Sequence, residues 1–493
     1  MEQRIITATD LGSSKISVSV AKVIGRDVQV IYHKKRPSRG IRYSTVFNPQ
    51  QASEEVSAAI KDAETALNIK INSTLVGLPR YGIVQKIGEA GIQRTDPRSS
   101  ITKEELDALQ SDAIETFPVN EEADEMVFGA VTQSFSVGDK ISYPEQDIIG
   151  MTGETVSGIF KLFIGKKKNF NDLNSVFSRA GLAVSRRYFT PDITARAALT
   201  ESEMENGVAV IDLGAGASSL TIYEGRIIRY YACIPFGGNT ITNDIKLESS
   251  ISSVLAENIK LAFGVCKPDS LQNLNEKVIQ LTSDEISKPK HLPIRFLSEI
   301  IEARITEIFE ALLYEIQRSG YADSLRSGIV LTGGGANLAG CKSLLNEISG
   351  YTVRIGWPRR NFFIADGCPE AFDPSATTSL GMILAARDNE HIISTNDTPT
   401  LCSEEDREEE IPPVEPIVNE NVKEETLFDP SEGQISKEEL ERRREEKKKE
   451  KANRPRPAWS TIDKITTGIN VLGNLFNNFY DGVHEEDEEE ENK

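Results

Sequence analysis

The stretch that decides the fold is Ile5-Ile6-Thr7-Ala8-Thr9-Asp10-Leu11-Gly12-Ser13-Ser14-Lys15, a β-rich run that ends in an Asp-Leu-Gly turn. It returns later in the chain as Val208-Ala209-Val210-Ile211-Asp212-Leu213-Gly214-Ala215-Gly216-Ala217-Ser218. After each turn a second β-rich run follows, at 17–23 and 219–223, and then a further turn and a third run. A repeated unit of this kind predicts two related lobes.

Each Asp-Leu-Gly turn offers groups that suit a phosphorylated ligand. The backbone N–H groups of a glycine loop can bind phosphate oxygens, and a pair of carboxylates can organise a hydrated divalent cation. A single turn of this kind would more often be an ordinary end of a strand. The duplication favours a site between the lobes, as does a buried-strand pattern that runs into Gly333, Gly334 and Gly335. Glycine there would let the backbone lie against a flat ligand such as adenine.

Composition and charge argue against several classes of protein. The net charge of the 493 residues is −20, and much of the acid lies after residue 400. A broad nucleic-acid-binding surface is therefore not expected. The five cysteines form no Cys-x-x-Cys pair, which is typical of reduced thiols rather than of a disulfide framework or a zinc site. The sequence has no signal-peptide pattern and no apolar run near the ~18–20 residues that span a bilayer, so we expect a cytosolic protein.

Residues 1 to about 387 alternate β-rich runs with helical periodicity, which predicts a globular α/β fold. Within them, 84–165 has the pattern of an inserted unit. It contains a helix predicted at 101–117, which Thr102 and Glu105 open as a capping box, and β-rich stretches around it such as 125–135 and 155–164. After residue 387 the composition predicts disorder and then a charge-paired helix without an apolar face.

A possible ligand-binding pair lies in the amphipathic run 251–263. Glu257 and Lys260 are three residues apart, so a helix would place them on one face. Taken alone, the pair would more often be an ordinary surface ion pair.

In their order along the chain, these segments resemble the ATPase domain shared by actin, Hsp70-type chaperones and sugar kinases. The resemblance implies a two-lobed α/β fold with duplicated ribonuclease-H-like lobes, and two phosphate loops that bind ATP. It also implies that Glu257 and Lys260 contact the ribose and that the glycines after 332 lie beside the adenine. The implied nucleotide-binding residues are Asp10, Gly12, Ser13, Ser14, Lys15, Asp212, Gly214, Ala215, Gly216, Glu257, Lys260, Gly333, Gly334 and Gly335.

Finer details resemble the FtsA family of bacterial, actin-like cell-division proteins. The segments that carry the resemblance are Ile149-Gly150-Met151-Thr152-Gly153, Ile241-Thr242-Asn243-Asp244-Ile245, the run 300–309, Val330-Leu331-Thr332-Gly333-Gly334-Gly335 and Pro374-Ser375-Ala376-Thr377. The first of these departs from the family pattern Pro-Val-Gly-Met-Ser-Gly, because Ile-Ile precedes the glycine. The resemblance covers about 3–387 and the last amphipathic stretch.

The resemblance divides the chain into six parts. These are a first lobe at 1–83, 166–205 and 370–387, an inserted FtsA-type subdomain at 84–165, a second lobe at 206–369, a charged linker at 388–458, an amphipathic membrane-binding helix at 459–480 and an acidic tail at 481–493.

The resemblance also implies roles for individual carboxylates. Asp10 and Asp212 would hold Mg²⁺ mainly through water, and Asp212 would help to orient an attacking water. Members of the wider superfamily usually add an acidic residue or glutamine from the first connecting helix, where this chain offers Asp192 but no glutamine. Binding of ATP is therefore a firmer expectation than its hydrolysis.

The last hydrophobic stretch predicts an amphipathic helix. Its apolar residues recur at helical spacing, and from Ile462 onward they fall within an arc of about 100°. Such a face could pack on the protein's own core or on a partner helix, but the long tether and the family resemblance favour an anionic membrane surface. The predicted membrane-binding residues are Trp459, Ile462, Ile465, Ile469, Leu472, Phe476 and Phe479.

The resemblance implies an ATP-binding protein that polymerises and tethers filaments of the tubulin-like protein FtsZ to the cytoplasmic face of the inner membrane at the septum. Partners would be the C-terminal peptide of FtsZ, further copies of the chain and other division proteins, but no nucleic acid. Arg304 and Glu307 are candidates for contacting the peptide, with a surface ion pair as the alternative. The rival functions are a sugar or acid kinase, an Hsp70-like chaperone, and a membrane scaffold that binds no nucleotide.

Overall fold

The computed structural model describes residues 3–120, 122–138, 143–274, 276–281 and 290–389. The predicted amphipathic helix and acidic tail lie outside the described residues, as does the predicted linker apart from its first two residues.

The described chain begins with a sheet and its covering helices. In chain order these elements are β1 (Gln3–Leu11), β2 (Lys15–Ile24), β3 (Asp27–Pro37), β4 (Ile41–Arg42), β5 (Thr45–Val46), α1 (Pro49–Leu67) and β6 (Ser73–Gly77). The next group contains β7 (Val84–Gln93), α2 (Lys103–Glu115), β8 (Glu125–Val137), α3 (Glu145–Ile148) and β9 (Thr155–Lys166). The chain then returns to the first sheet through α4 (Lys167–Arg179), β10 (Ala183–Tyr188), α5 (Thr190–Ala198) and α6 (Glu201–Asn206).

A second sheet and its helices occupy most of the remaining described chain. They are β11 (Val208–Leu213), β12 (Ser218–Glu224), β13 (Ile227–Ile234), α7 (Gly238–Ser249), α8 (Ser253–Phe263), β14 (Val278–Leu281), β15 (Lys290–Pro293), α9 (Ile294–Arg318), β16 (Ile329–Thr332), α10 (Cys341–Ser349) and β17 (Val353–Ile355). The last elements are β18 (Phe363–Ile364) and α11 (Thr377–Arg387).

Both main sheets repeat one arrangement of five strands. The first has the order β10-β6-β1-β2-β3-β18, and the second, taken in the matching direction, has the order β17-β16-β11-β12-β13. In each sheet the strand that ends in Asp-Leu pairs antiparallel with the next strand of the chain and parallel with a later one. The duplication expected from the two Asp-Leu-Gly turns is confirmed.

The unit between β6 and α4 has a sheet of its own. Its three strands have the order β7-β9-β8, and α2 packs against them over an apolar core that includes Leu106, Leu109 and Phe160. The predicted capping box opens α2, since Thr102 Oγ1 accepts the N–H of Glu105 and the Glu105 carboxylate accepts the N–H of Thr102. The helix and flanking strands predicted within 84–165 are therefore confirmed.

One boundary drawn from the sequence is wrong. The second lobe was expected to extend to residue 369, but Phe363 and Ile364 form β18 and pair with β3 in the first sheet. Phe363 is buried in the core of that sheet, which explains why this short apolar segment crosses over before α11.

A buried histidine lies between the first sheet and α11. Ser19 Oγ donates to Ser379 Oγ, which donates to the carbonyl of Ala376, so the His33 Nδ1–H must donate to Ser19. His33 Nε2 is buried and has no hydrogen-bond partner within the described chain. Protonation would place an unsatisfied N–H there. Burial is accordingly the main cause that lowers the pKa of His33 to about 4, with the charge of Lys35 next.

We expect this histidine to make stability depend on pH. In the unfolded chain, His33 binds a proton below its ordinary pKa of 6.5. In the folded chain it binds one only below about pH 4. Stability should therefore fall through this window as the pH decreases, by roughly 3 kcal/mol in all. Urea unfolding at pH 7 and pH 5 should show a smaller loss in His33→Gln. The exposed His291→Gln is the control and should keep the wild-type loss, and equal losses in all three proteins would contradict the assignment.

Candidate functional site

A cavity of about 640 Å³ lies where the two main sheets face each other. This volume is in the range of small-molecule sites. It is lined by all the nucleotide-binding residues predicted from the sequence except Gly216. Gly216 instead packs against the other loop, because a side chain there would overlap Ser13 Oγ and approach the backbone of Tyr43. The structure thus brings both glycine loops into contact at one edge of the cavity.

The two loops are closed by the same backbone hydrogen bond. Gly12 N–H donates to the Lys15 carbonyl at 3.0 Å, and Gly214 N–H donates to the Ala217 carbonyl at 3.1 Å. Their registers also match, since Asp10 is paired with Ser17 and Asp212 with Ser219. The similarity of the two sequences therefore reflects one hairpin built twice.

Hydrogen bonding decides which amides could bind an anion. The amides of Gly12 and Gly214 close the hairpins, so neither is available to a ligand. By contrast, the amides at the loop tips, those of Ser13, Ser14, Ala215 and Gly216, donate no hydrogen bond within the described residues. Successive free N–H groups in a tight turn form an anion-binding concavity. The amides that are available to an anion are therefore those at the tips of the loops.

Lys15 places a positive charge beside these amides. It lines the cavity, and its ammonium group makes no hydrogen bond or ion pair with any described residue. Burial and the nearby charge of Lys35 lower the pKa of Lys15, while Asp373 and the two loop aspartates oppose the shift. A partly buried cation without a partner favours a negatively charged ligand.

The two loop aspartates face a third charged group. Arg80, from the segment after β6, forms an ion pair with Asp212 Oδ2, and its Nη2 lies 3.7 Å from Asp10 Oδ1. Burial raises the pKa of Asp10, against the influence of Arg80. Burial alone would lower the pKa of Arg80, but the charges of Asp212 and Asp10 raise it above its ordinary value. The carboxylates predicted to hold Mg²⁺ therefore already share a guanidinium.

Lys260 and Glu257 form more than a surface ion pair. Lys260 is buried, and its Nζ donates to Glu257 Oε2 at 2.7 Å, to Thr242 Oγ1 at 2.7 Å and to the Gly238 carbonyl at 2.9 Å. These bonds join α8 to the first turn of α7. All three N–H donors of the Lys260 ammonium are engaged, so its role here is to position Glu257. The Glu257 side chain is partly exposed and lines the cavity. Contact with a ribose stays a prediction.

The glycine run after β16 approaches the second loop closely. Gly333 has φ +84° and ψ 172°, and a side chain there would overlap Asp212 Oδ1 and the Leu213 carbonyl. This backbone region is accessible essentially only to glycine. Gly335 in turn packs on the side chain of Leu213. The run can therefore lie against both the strand end and the cavity.

Asp192 is not among the residues that line the cavity. Its Oδ1 accepts the hydroxyl of Tyr223 at 3.0 Å, and its Oδ2 accepts Arg196 Nε at 2.7 Å. Both oxygens are thus engaged, Oδ1 in linking α5 to β12 and Oδ2 within α5. The structure does not bring Asp192 to the loop aspartates, so its suggested part in hydrolysis gains no support.

The candidate partner-binding residues form a local network on α9. Arg304 pairs with Glu307 at 2.7 Å, as the surface-pair alternative expected. It also makes a two-pronged contact with Asp244 of α7. Contact with a partner peptide stays a prediction.

Comparison with known proteins shows a similarity to one family of cell division proteins. The family model of cell division protein FtsA matches residues 209–381. The chain is 29% identical over 389 residues to cell division protein FtsA of Neisseria meningitidis, an alignment that covers 78% of this chain and 91% of that protein. It is 26% identical over 394 residues to FtsA of Escherichia coli, covering 78% and 90% respectively. The chain is therefore similar to FtsA proteins over 78% of its length.

A solved structure is similar to this chain in its fold. The PilM-PilN type IV pilus biogenesis complex matches with a TM-score of 0.52 at 16% identity, over 78% of this chain and 98% of that one. The two-lobed, actin-like α/β fold expected from the sequence is confirmed. None of the helices that the structure describes is long and apolar enough to cross a membrane.

Sequence reasoning about the FtsA-like motifs missed Arg80. Only the fold gives its position, because β6 runs parallel to β1 and Leu75 pairs with Ala8. The chain leaves the carboxyl end of β6 beside the carboxyl end of β1, where Asp10 lies. This pairing brings a basic residue just after β6 to the cavity.

Proposed function

We propose that this FtsA-like protein binds ATP in the cavity between its lobes, polymerises, and tethers FtsZ filaments to the cytoplasmic face of the inner membrane at the division septum. The observation that carries the nucleotide half is the meeting of two hairpin loops closed by the same backbone hydrogen bond, each with free tip amides, at one cavity that Lys15 lines. Paired loops of this kind suit a chain of phosphates.

The rest of the cavity favours a nucleoside over a bare polyphosphate. Glu257 supplies a carboxylate that could accept sugar hydroxyls, and Gly333, Gly334 and Gly335 expose backbone against which a base could lie. The Mg²⁺ predicted at Asp10 and Asp212 fits less well, because Arg80 already lies against both carboxylates. The proposal here therefore concerns the nucleotide, and any cation would accompany its phosphates.

The membrane half of the proposal rests on sequence and family. The apolar residues of 459–480 repeat at helical spacing, and the stretch before them carries more basic than acidic residues. An amphipathic segment with a basic flank suits an anionic membrane surface. The C-terminal peptide of FtsZ is the proposed partner, with Arg304 and Glu307 as candidate contacts.

Liposome sedimentation tests the membrane half, and equilibrium dialysis tests the nucleotide half. The full chain and a chain ending at residue 458 are mixed with labelled ATP and with liposomes rich in phosphatidylglycerol. We expect the full chain to pellet with the liposomes and the shortened chain to stay in solution, because the apolar face is missing. Both should retain ATP equally in equilibrium dialysis.

Matched substitutions in the full chain separate a membrane anchor from a general effect of truncation. Ile469→Asp places a charge on the predicted apolar face, whereas Asn470→Asp places the same charge on the polar face. We expect only the first to abolish pelleting. Equal pelleting by all variants would show that the anchor lies elsewhere. If neither the full nor the shortened chain retained ATP, the nucleotide half would be refuted. Transfer of phosphate from ATP to a small acceptor would favour a kinase.

A further inference from the structure

Arg80 lines the cavity and lies between the two loop aspartates. Its side chain is 14% exposed. One guanidinium nitrogen pairs with Asp212, and the other lies 3.7 Å from Asp10 Oδ1 and donates to Thr378 Oγ1 at 3.1 Å. A planar guanidinium is suited to bridging two carboxylates, because its donors point in fixed directions.

Contacts from β13 and from α11 hold Arg80 in this position. Its carbonyl accepts the hydroxyl of Tyr231, from β13 of the second sheet, at 2.6 Å. Tyr231 is itself buried and packs on Phe163 and Phe189. On the other side, Thr378 Oγ1 is hydrogen-bonded to Thr194 Oγ1 at 2.9 Å. The arginine is thus fixed at its backbone and at its guanidinium, unlike a side chain that samples solvent.

The charges around Arg80 decide what else the aspartates can bind. Two carboxylates carry two negative charges, and a guanidinium cancels one of them permanently because it does not deprotonate in proteins. A divalent cation at the same carboxylates would have to lie beside this fixed positive charge. Asp212 is further confined, since its Oδ1 lies where a side chain on Gly333 would be. The carboxylate pair is therefore a poor fit to Mg²⁺.

We propose that Arg80 is the resident counter-ion of Asp10 and Asp212, so that these carboxylates need no divalent cation to face a polyphosphate. The expected effect on nucleotide binding rests on the function proposed above. The position of Arg80 between the two carboxylates does not. Neutralisation by Arg80 reduces the repulsion between Asp10, Asp212 and the phosphates. Affinity for a nucleotide should then depend little on magnesium.

Binding of Mn²⁺ to the full, nucleotide-free chain tests the occupancy directly. Electron paramagnetic resonance is used to count bound Mn²⁺ in the wild type, Arg80→Gln, Asp212→Asn and the double variant. We expect Asp212→Asn to bind as much Mn²⁺ as the wild type, because Arg80 already occupies the carboxylate pair. Arg80→Gln should gain a site at least tenfold tighter than any in the wild type, and adding Asp212→Asn should remove it.

Several results would overturn the proposal. One is that the wild type has a Mn²⁺ site that Asp212→Asn abolishes, since the arginine would then not exclude the cation. Another is that Arg80→Gln folds but binds Mn²⁺ no more tightly than the wild type. If Arg80→Gln fails to fold, as judged by circular dichroism, the comparison of wild type with Asp212→Asn still decides the question. Arg80→Lys keeps the charge and should resemble the wild type.

Nucleotide affinity supplies a second readout. With ATP, we expect the wild-type dissociation constant to change less than threefold between EDTA and excess Mg²⁺. In Arg80→Gln, affinity should fall at least tenfold in EDTA and recover with Mg²⁺. A wild type as dependent on Mg²⁺ as this variant would overturn the proposal. If neither protein binds ATP under either condition, the proposed function fails, while the Mn²⁺ measurement still tests Arg80.

Discussion

Replacing Gly381 with alanine should lower the free energy of unfolding by about 3 kcal/mol. Gly381 lies within α11 where this helix crosses α5, and a Cβ there would overlap the carbonyl oxygen of Ile193. That oxygen belongs to the backbone of a helix and cannot move away without separating the two helices. Intrinsic helix propensity alone predicts the opposite, a gain of about 1 kcal/mol for alanine over glycine. Urea unfolding of the full chain decides between them.

Gly129→Ala is the matched control for this substitution. Gly129 lies in β8 with no atom within 4 Å of its hypothetical Cβ and without a positive φ. The same added methyl should therefore change stability by less than about 0.5 kcal/mol. An increase in the stability of Gly381→Ala would contradict the close helix contact, because propensity would then have outweighed packing.

Replacing Gly333 with alanine should weaken ATP binding at least a hundredfold, if the proposed nucleotide site is correct. The residue combines a positive φ of +84° with a Cβ position that overlaps Asp212 Oδ1 and the Leu213 carbonyl. Alanine would force the backbone out of this region and displace the second loop together with its aspartate. A hundredfold loss corresponds to roughly 2.7 kcal/mol. Isothermal titration with ATP measures it directly.

The neighbouring glycine provides the control. Gly334 also lines the cavity, but it has no positive φ, and the nearest atom to its hypothetical Cβ is the flexible end of Lys15, at 3.1 Å. Gly334→Ala should therefore retain ATP affinity within about tenfold, since Lys15 can shift by rotating its side chain. Similar losses in both variants would mean that added bulk in the cavity, and not backbone conformation, governs binding.

The elements that the sequence predicted well are those with a local cause. The capping box of α2 involves residues three apart, and each Asp-Leu-Gly hairpin is closed by a bond between residues three apart. The amphipathic run at 251–263 contains α8, which begins at Ser253 and ends at Phe263. Because these features depend on neighbours along the chain, the pattern of residue types was enough to find them. The repeat then determined the two-lobed arrangement.

The occupants of the site could not be derived in this way. Arg80 meets Asp212 across 132 positions of the chain, and the carbonyl of Arg80 meets the hydroxyl of Tyr231 across 151. Asp192, which the sequence offered as a catalytic group, instead meets Tyr223. Charge neutralisation in a buried cleft depends on which groups the folded sheets bring together. Spacing along the chain does not predict these long-range contacts.

By itself, the sequence determined two lobes, two phosphate-type loops and a glycine run, because each is a property of backbone conformation over a few residues. Only the tertiary structure decided that the amides of Gly12 and Gly214 close their own turns. It alone also decided that the ammonium of Lys260 donates all its hydrogen bonds within the fold and that an arginine lies where Mg²⁺ was expected. The physical reason is that hydrogen-bond capacity and charge are shared among all groups in contact, and contact is settled by packing.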